Sequence, residues 1–406
     1  MNSISWRAFC VLAGSVLYGA VQAQSVPSLA SATESAWQRA VAARAADGRI
    51  AEARAGQSAA ESLWAAPPTL ELSHYDDRFQ HSAGRRESEI GLAWPLWLPG
   101  QRSAHGELAQ TDLQLAGLAR DAAKLRVAGE VREAAWSLAA REAELSVAQS
   151  QVHGLQALAD DVDRRVRAGD LARADALAVH AELLAAQATL ALARQHREST
   201  RAEWFVLTGI EPIADAAELQ ARDSNPGSDT AEHPEITLAA LTVERARSNL
   251  DLVQVSKRDP PELIARYRQE APGNGMAVQN SVGIAVRIPF GTDGRNLPRE
   301  AAAISEFDVA RTLQQRLGER VESAIASART ALLAAETGLL AEQSRLALLR
   351  ERAQLIDKSF RAGETPLPEL LRALAASTQA EGSVARQQAE LGLSRARLNQ
   401  SLGILP

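Results

Sequence analysis

The chain has 406 residues, with 44 basic against 50 acidic side chains and a net charge of −6, so it lacks the basic footprint of a nucleic-acid binder. Apolar residues make up 46%, which excludes a disordered chain, while aromatics at 4% argue against a compact enzyme with a thick core. Ala, Leu, Arg, Glu and Gln dominate and favour long helices. The single cysteine, Cys10, excludes Cys-based zinc sites, iron–sulfur clusters and intramolecular disulfides.

Residues 1–23 read as a secretory signal peptide. Arg7 precedes an apolar run from Ala8 to Tyr18, and Val21-Gln22-Ala23 is a small-residue cleavage site. A signal anchor is the competing reading. Arg7-Ala8-Phe9 before Cys10 is not a lipoprotein cleavage box. No later stretch carries about 18 uninterrupted apolar residues, so any membrane crossing falls to strands closed into a barrel.

The mature chain divides into a first repeat, 24–210, a link, 211–232, and a second repeat, 233–406. Helix is predicted over 29–64, strands over 69–79 and 87–97, a very long helix over 101–166, and a helix over 171–208. The link contains Pro212 and Asn225-Pro226-Gly227. The same order then returns: helix 233–258, strands 262–269 and 278–290, long helix 298–360, and helix 366–402. Landmarks recur at a near-constant offset. Gly91-Leu92-Ala93 answers to Gly283-Ile284-Ala285. Arg167-Ala168-Gly169-Asp170 answers to Arg361-Ala362-Gly363-Glu364, and Gly209-Ile210 to Gly403-Ile404.

A helix of about 65 residues is about 100 Å long, more than a compact domain uses. Its apolar positions recur at three and four, as in Val321, Ile325, Ala328 and Leu332, then Leu339, Leu346 and Leu349. That is a coiled-coil-like seam.

The strands alternate. Ile90, Leu92, Trp94 and Leu96 share one face, as do Val282, Ile284, Val286, Ile288 and Phe290. The opposite face is small or polar and includes Arg287. Trp94 and Trp97 sit where an interfacial aromatic girdle would place them. The apolar faces are therefore candidates for contact with lipid. Four strands cannot close a barrel, whereas three chains give twelve. Two soluble hairpins packed on helices are the alternative.

This order resembles the TolC family of outer-membrane efflux ducts over nearly the whole mature chain. The resemblance implies a mainly α fold with a membrane β-barrel part. Long coiled-coil helices would form a periplasmic tunnel, and four strands per chain would contribute to a trimeric twelve-stranded barrel. The family's helix-tip pattern stands here as Val166-Arg167-Ala168-Gly169-Asp170-Leu171 and Phe360-Arg361-Ala362-Gly363-Glu364-Thr365. It implies that the tips meet a periplasmic adaptor. The candidate contacts are Val166, Arg167, Gly169 and Leu171 in the first repeat, with Phe360, Arg361, Gly363 and Leu367 in the second. A plainer role also fits, since Gly after a helix is a left-handed C-cap.

Acidic gate rings in the family lie just after the tip glycine. Asp175 and Glu369 each stand six residues beyond one, and Arg372 occupies a place where a second acid is common. Glu369 and Arg372 then pair and hold the mouth shut, or form an ordinary exposed i,i+3 pair.

Other chemistry is sparse. The seven histidines form no HxxxH or HExxH pair, and there is no GxxxxGK[ST]. No catalytic residue, metal site or cofactor is expected. The implied partners are two further copies of the chain, a periplasmic adaptor, an inner-membrane pump of the RND type, and outer-membrane lipid. The short end after Leu402 resembles the heavy-metal, cobalt–zinc–cadmium branch. A periplasmic coiled-coil scaffold or adaptor without a pore is the competing function.

Overall fold

The computed structural model describes residues 28–79, 83–212, 233–291 and 293–406. The expected signal peptide and most of the link therefore lie outside the described residues. Seven helices and four strands follow in the order α1 (Leu29–Arg39), α2 (Val41–Ala60), β1 (Thr69–Asp76), β2 (Arg86–Pro95), α3 (Gln101–Ala168), α4 (Arg173–Thr208), α5 (Pro234–Val255), β3 (Glu262–Ala271), β4 (Gln279–Arg287), α6 (Asp293–Arg361) and α7 (Leu367–Ser401).

The long helices α3 and α6 hold 68 and 69 residues, so each runs about 100 Å from the sheet to a distant tip. Neither could be stable alone, because an amphipathic helix gains most of its stability from the partner that covers its apolar face. Near the sheet α3 packs between α2 and α5, and α5 packs on α6. Towards the tip α3 packs on α4 and α7, and α7 packs on α6. The wall is therefore α2–α3–α5–α6 at one end and α4–α3–α7–α6 at the other.

The four strands form one antiparallel sheet in the order β1–β2–β3–β4. β1, β2 and β4 are shorter than their sequence patterns suggest, whereas β3 runs two residues further than expected, to Ala271, and Leu96 and Ile288 fall just outside the ladder. Pro95 has no N–H to continue the ladder, and Leu96 N–H is the last donor, to Pro261 O at 2.7 Å.

The first helix departs from expectation. In place of one helix over 29–64 the chain breaks at Ala40, whose backbone is extended (φ −67, ψ 136). The break lets Leu29 and Trp37 enter a core with Val127, Val131, Leu138 and Trp204, while α2 runs separately along α3. Neither Gly nor Pro marks the turn. The helix of the second repeat also starts earlier than expected, at Asp293, with Pro298 near its beginning.

The two repeats are locked across their middle. Arg132 of α3 is buried, 1% exposed, and donates to Gln400 Oε1 and to Ile404 O at 2.8 Å. Gln400 in turn donates to Leu125 O at 2.9 Å. Nearby, Arg397 forms a fork with Glu133 at 2.7 and 3.0 Å. The ring of Trp136 crosses α7 at Gly392, where a Cβ would stand 2.1 Å from it.

Candidate functional site

The register sorts the sheet into two faces. On one, Leu70 lies opposite Leu92, Ala265 and Ile284, and Leu72 opposite Ile90, Tyr267 and Val282. Trp94, Leu263 and Val286 complete a third row. This face is apolar and open: Val282 and Ile284 are 80% and 79% exposed. The strand candidates Ile90, Leu92, Trp94, Val282, Ile284 and Val286 all lie on it. Its far end turns polar, with His74 bonded to Ser88 and Gln269 to Asn280.

The opposite face carries charge in cross-strand pairs. Glu89 meets Arg266 at 3.3 Å, Glu87 meets Arg268 at 2.7 Å, and Glu262 meets Arg287 at 2.7 Å. A sheet with one apolar and one ion-paired face suits a wall between hydrocarbon and water. β1 and β4 each have one unpaired edge, and a closed barrel is the arrangement in which no such edge remains.

At the other end stand the two tips. Both close with the same backbone pattern. Gly169 (φ 90) and Gly363 (φ 83) take the left-handed conformation that glycine adopts without a Cβ penalty. Asp170 N–H bonds to Arg165 O and Gly169 N–H to Val166 O, while Glu364 N–H bonds to Ser359 O and Gly363 N–H to Phe360 O. These are Schellman caps.

The tip candidates divide by burial. Arg167, Gly169, Arg361 and Gly363 are exposed, and Val166 and Leu171 are half-buried against the core beneath. Phe360 and Leu367 are each 2% exposed. They pack with Leu155, Val162, Val179, Leu183 and Leu370, so they support the tip and offer no contact surface. The tip pattern in the sequence marks Phe360 and Leu367 by position, but position alone does not say which apolar residue caps the core.

Arg165 is the tip residue that sequence reasoning missed. Its guanidinium lies 5.1 Å from the centroid of the Phe360 ring and donates to Phe360 O and Arg361 O at 3.3 and 3.0 Å. A first-repeat side chain thus satisfies the last carbonyls of α6, where a cation also meets the negative end of the helix dipole. An Arg four residues before a tip glycine was the available signal.

The gate candidates behave unequally. Asp175 Oδ2 accepts the Ala172 N–H at 3.2 Å and so caps α4. Pro366 holds the equivalent place before α7 and has no N–H to offer. Glu369 is therefore denied the bond that occupies Asp175. Arg372 donates to Pro368 O at 3.2 Å, and among the described residues no Glu369–Arg372 ion pair forms within the chain. The pairing expected from the i,i+3 spacing is absent because Arg372 turns back along its own helix.

The wall also leaves two helices partly unpartnered. On α4, Leu177, Leu184 and Leu192 are exposed, and on α6, Leu333, Leu340, Leu348 and Leu355 are exposed. The buried stripe of α4, Val179, Leu183, Ala186 and Leu190, lies on its other side. By length and composition alone both helices pass as candidate membrane spans, as the core helix of a soluble protein also does, and neither holds an uninterrupted apolar run of about 18 residues. Among the described residues no group of three or more His, Cys, Asp or Glu gathers to hold a metal.

An open strand sheet with an apolar face, set on a wall of helices about 100 Å long, defines the outer-membrane channel fold. The chain superposes on the outer membrane protein VceC from Vibrio cholerae with a TM-score of 0.76 at 16% identity, covering 92% of this chain and 96% of that one. It superposes on CusC, in structures concerned with folding and transmembrane channel formation, with a TM-score of 0.77 at 15% identity, covering 93% and 92%. The open-state MtrE outer membrane channel of Neisseria gonorrhoeae gives 0.73 at 17%, covering 93% and 89%. Residues 13–209 match the family model described as outer membrane efflux protein. The protein is accordingly an outer-membrane protein with a large periplasmic part. No curated protein sequence matches the chain significantly.

Proposed function

We propose that three copies of this chain form the outer-membrane duct of a tripartite efflux system. An inner-membrane pump and a periplasmic adaptor would deliver solute to the tips, and the twelve-stranded barrel would release it outside. The observation that carries the reading is a match of spacing between the two open helices. Leu177, Leu184 and Leu192 of α4 lie 8, 15 and 23 residues after Gly169, and Leu355, Leu348 and Leu340 of α6 lie 8, 15 and 23 residues before Gly363, with Leu333 a further seven residues up α6. Helices of equal rise place these leucines at equal heights above their tips. One copy's α4 can therefore pack on the next copy's α6 along a leucine seam, as β1 pairs with the next β4 above it.

The mouth of the duct would be gated by Glu369, whose carboxylate is free of the capping bond that engages Asp175. Three such carboxylates near the threefold axis would favour cations over anions. Arg372 would pair with Glu369 of a neighbouring copy and hold the closed state. Arg167, Gly169, Arg361 and Gly363 would form the adaptor-facing surface. Metal cations are the first cargo to test, in keeping with the resemblance to the cobalt–zinc–cadmium branch, with small organic compounds second.

A deletion strain challenged with divalent metals and hydrophobic drugs side by side tests this reading. Sensitisation to either group, reversed by the wild-type gene, supports efflux and identifies the cargo class. Unchanged tolerance throughout, together with a soluble monomer on unheated gels, overturns it.

A further inference from the structure

On the charged face of the sheet every arginine is already matched. Arg266 meets Glu89, Arg268 meets Glu87 and Arg287 meets Glu262. Glu270 is reached by Arg268 at 3.5 Å and, from the β1–β2 turn, by Arg85 at 3.6 Å. One acid of this face is left over. Glu71 is exposed and makes no ion pair among the described residues. Its row explains why. Glu71 lies level with Gly91, Arg266 and Gly283, so its neighbour across β2 is a glycine, and the arginine beyond turns to Glu89. The face, with Arg85 counted, therefore holds one net negative charge per copy, and that charge belongs to Glu71.

The depth of Glu71 is set by the residues on either side of it. Leu70 and Leu72 are 62% and 67% exposed on the apolar face, so Glu71 stands at the level of the hydrocarbon and points the other way, into the lumen. An ionisable side chain kept at that depth marks an ion path. Twelve strands about 4.8 Å apart and tilted by about 40° close a ring about 24 Å across. With side chains lining it, the axis lies roughly one Debye length, ~8 Å, from the wall. An unbalanced wall charge is therefore felt by every ion that passes. We infer that Glu71 gives the barrel a cation preference of its own. Three copies set three unpaired carboxylates round one level of the lumen, a ring that admits small hydrated cations ahead of anions. About 100 Å of helix separates this ring from Glu369, so the two act as filters in series. The inference rests on the trimeric duct reading and adds to it a second determinant of what passes.

The test is the reversal potential of the purified full-length protein in planar bilayers under a low-salt potassium chloride gradient. It is measured in the wild type and in Glu369→Gln, where the mouth no longer contributes its own carboxylates. In both backgrounds Glu71→Gln should lower the cation-to-anion permeability ratio by about two-fold, and Glu71→Lys should bring it to about one or below. Arg287→Gln, which frees Glu262, should raise the ratio. All three shifts should shrink in molar salt, where the Debye length is about 3 Å. A ratio unmoved by Glu71→Lys, in channels of wild-type conductance, overturns the inference and leaves the duct reading standing. Should Glu71→Lys fail to insert, Glu71→Gln decides on the same terms, since it keeps the volume of the side chain. A wild-type chain that forms no channels overturns the duct reading, and this inference with it.

Discussion

Arg165 lies over the ring of Phe360 and donates to the carbonyls of Phe360 and Arg361, so the tip of one repeat is fastened by a side chain of the other. Arg165→Ala removes two hydrogen bonds and a cation–π contact, a local loss of about 1–2 kcal/mol. Hydrogen exchange over residues 358–364 should accelerate by roughly ten-fold, since 1.4 kcal/mol is one decade. Arg165→Lys should restore little, because an ammonium cannot span both carbonyls as a fork does.

Gly392→Ala tests the close approach of α3 and α7. A methyl at this position collides with the Trp136 ring, and overpacking of this kind costs about 1–3 kcal/mol. The thermal midpoint should fall. The pair Gly392→Ala with Trp136→Ala should be less unstable than the sum of the single changes, because they share one contact.

The difference between Asp175 and Glu369 predicts a split in single-channel recordings. Glu369→Gln should reduce cation preference. Asp175→Asn should leave it nearly unchanged, whereas Asp175→Ala should cost stability of about 1 kcal/mol through loss of a helix-start acceptor. Arg372→Ala should raise conductance or cation leak, and unchanged conductance would remove Arg372 from the gate.

The leucine spacing predicts a charge-swap rescue. Leu184→Glu or Leu348→Lys alone should abolish the heat-labile trimer on unheated gels by burying an unpaired charge. Together they should recover a measurable fraction, since both lie 15 residues from their tip glycines. Failure of the double variant, with either single variant still trimeric, would place the seam elsewhere.

His233 gives a pH dependence. It caps α5, accepting the Glu235 N–H at 3.2 Å, and is 4% exposed. Burial pushes its imidazole below the ordinary range, with Glu235 opposing. The folded chain therefore refuses a proton that the unfolded chain accepts below about pH 6.5. Stability should be level above that pH and fall as the pH drops through it. His233→Asn, which keeps an acceptor at the cap, should flatten the fall in helix melts at pH 8 and pH 5.5.

The parts of the fold visible in the sequence are those written in local pattern. Alternation at Ile90–Leu96 and Val282–Phe290 marks strands because a pleat has a period of two. Gly169 and Gly363 mark tips because few other residues take positive φ cheaply. What stayed hidden depends on contacts between distant segments. Ala40 breaks a helix without a breaking residue, because Trp37 is drawn to Trp204. Phe360 looks like any surface aromatic until Leu367 and Val179 close over it. Arg132 reads as an exposed helix residue, yet it is buried on the chain's C-terminal segment. The inequality of Asp175 and Glu369 was legible in principle, since it turns on Pro366 standing where Ala172 stands in the first repeat.

The near-constant offset of the landmarks bears on how such a duct could have arisen. Each half holds one hairpin, one long helix and one capped tip, so an unfused half would have to gather six bodies to close a ring. Fusion through residues 211–232 makes half of the neighbouring contacts intramolecular, where the effective concentration of partners is high. It also frees the halves to diverge. A proline could enter one tip and release its carboxylate while the other tip kept its cap, an asymmetry that six identical subunits could never acquire.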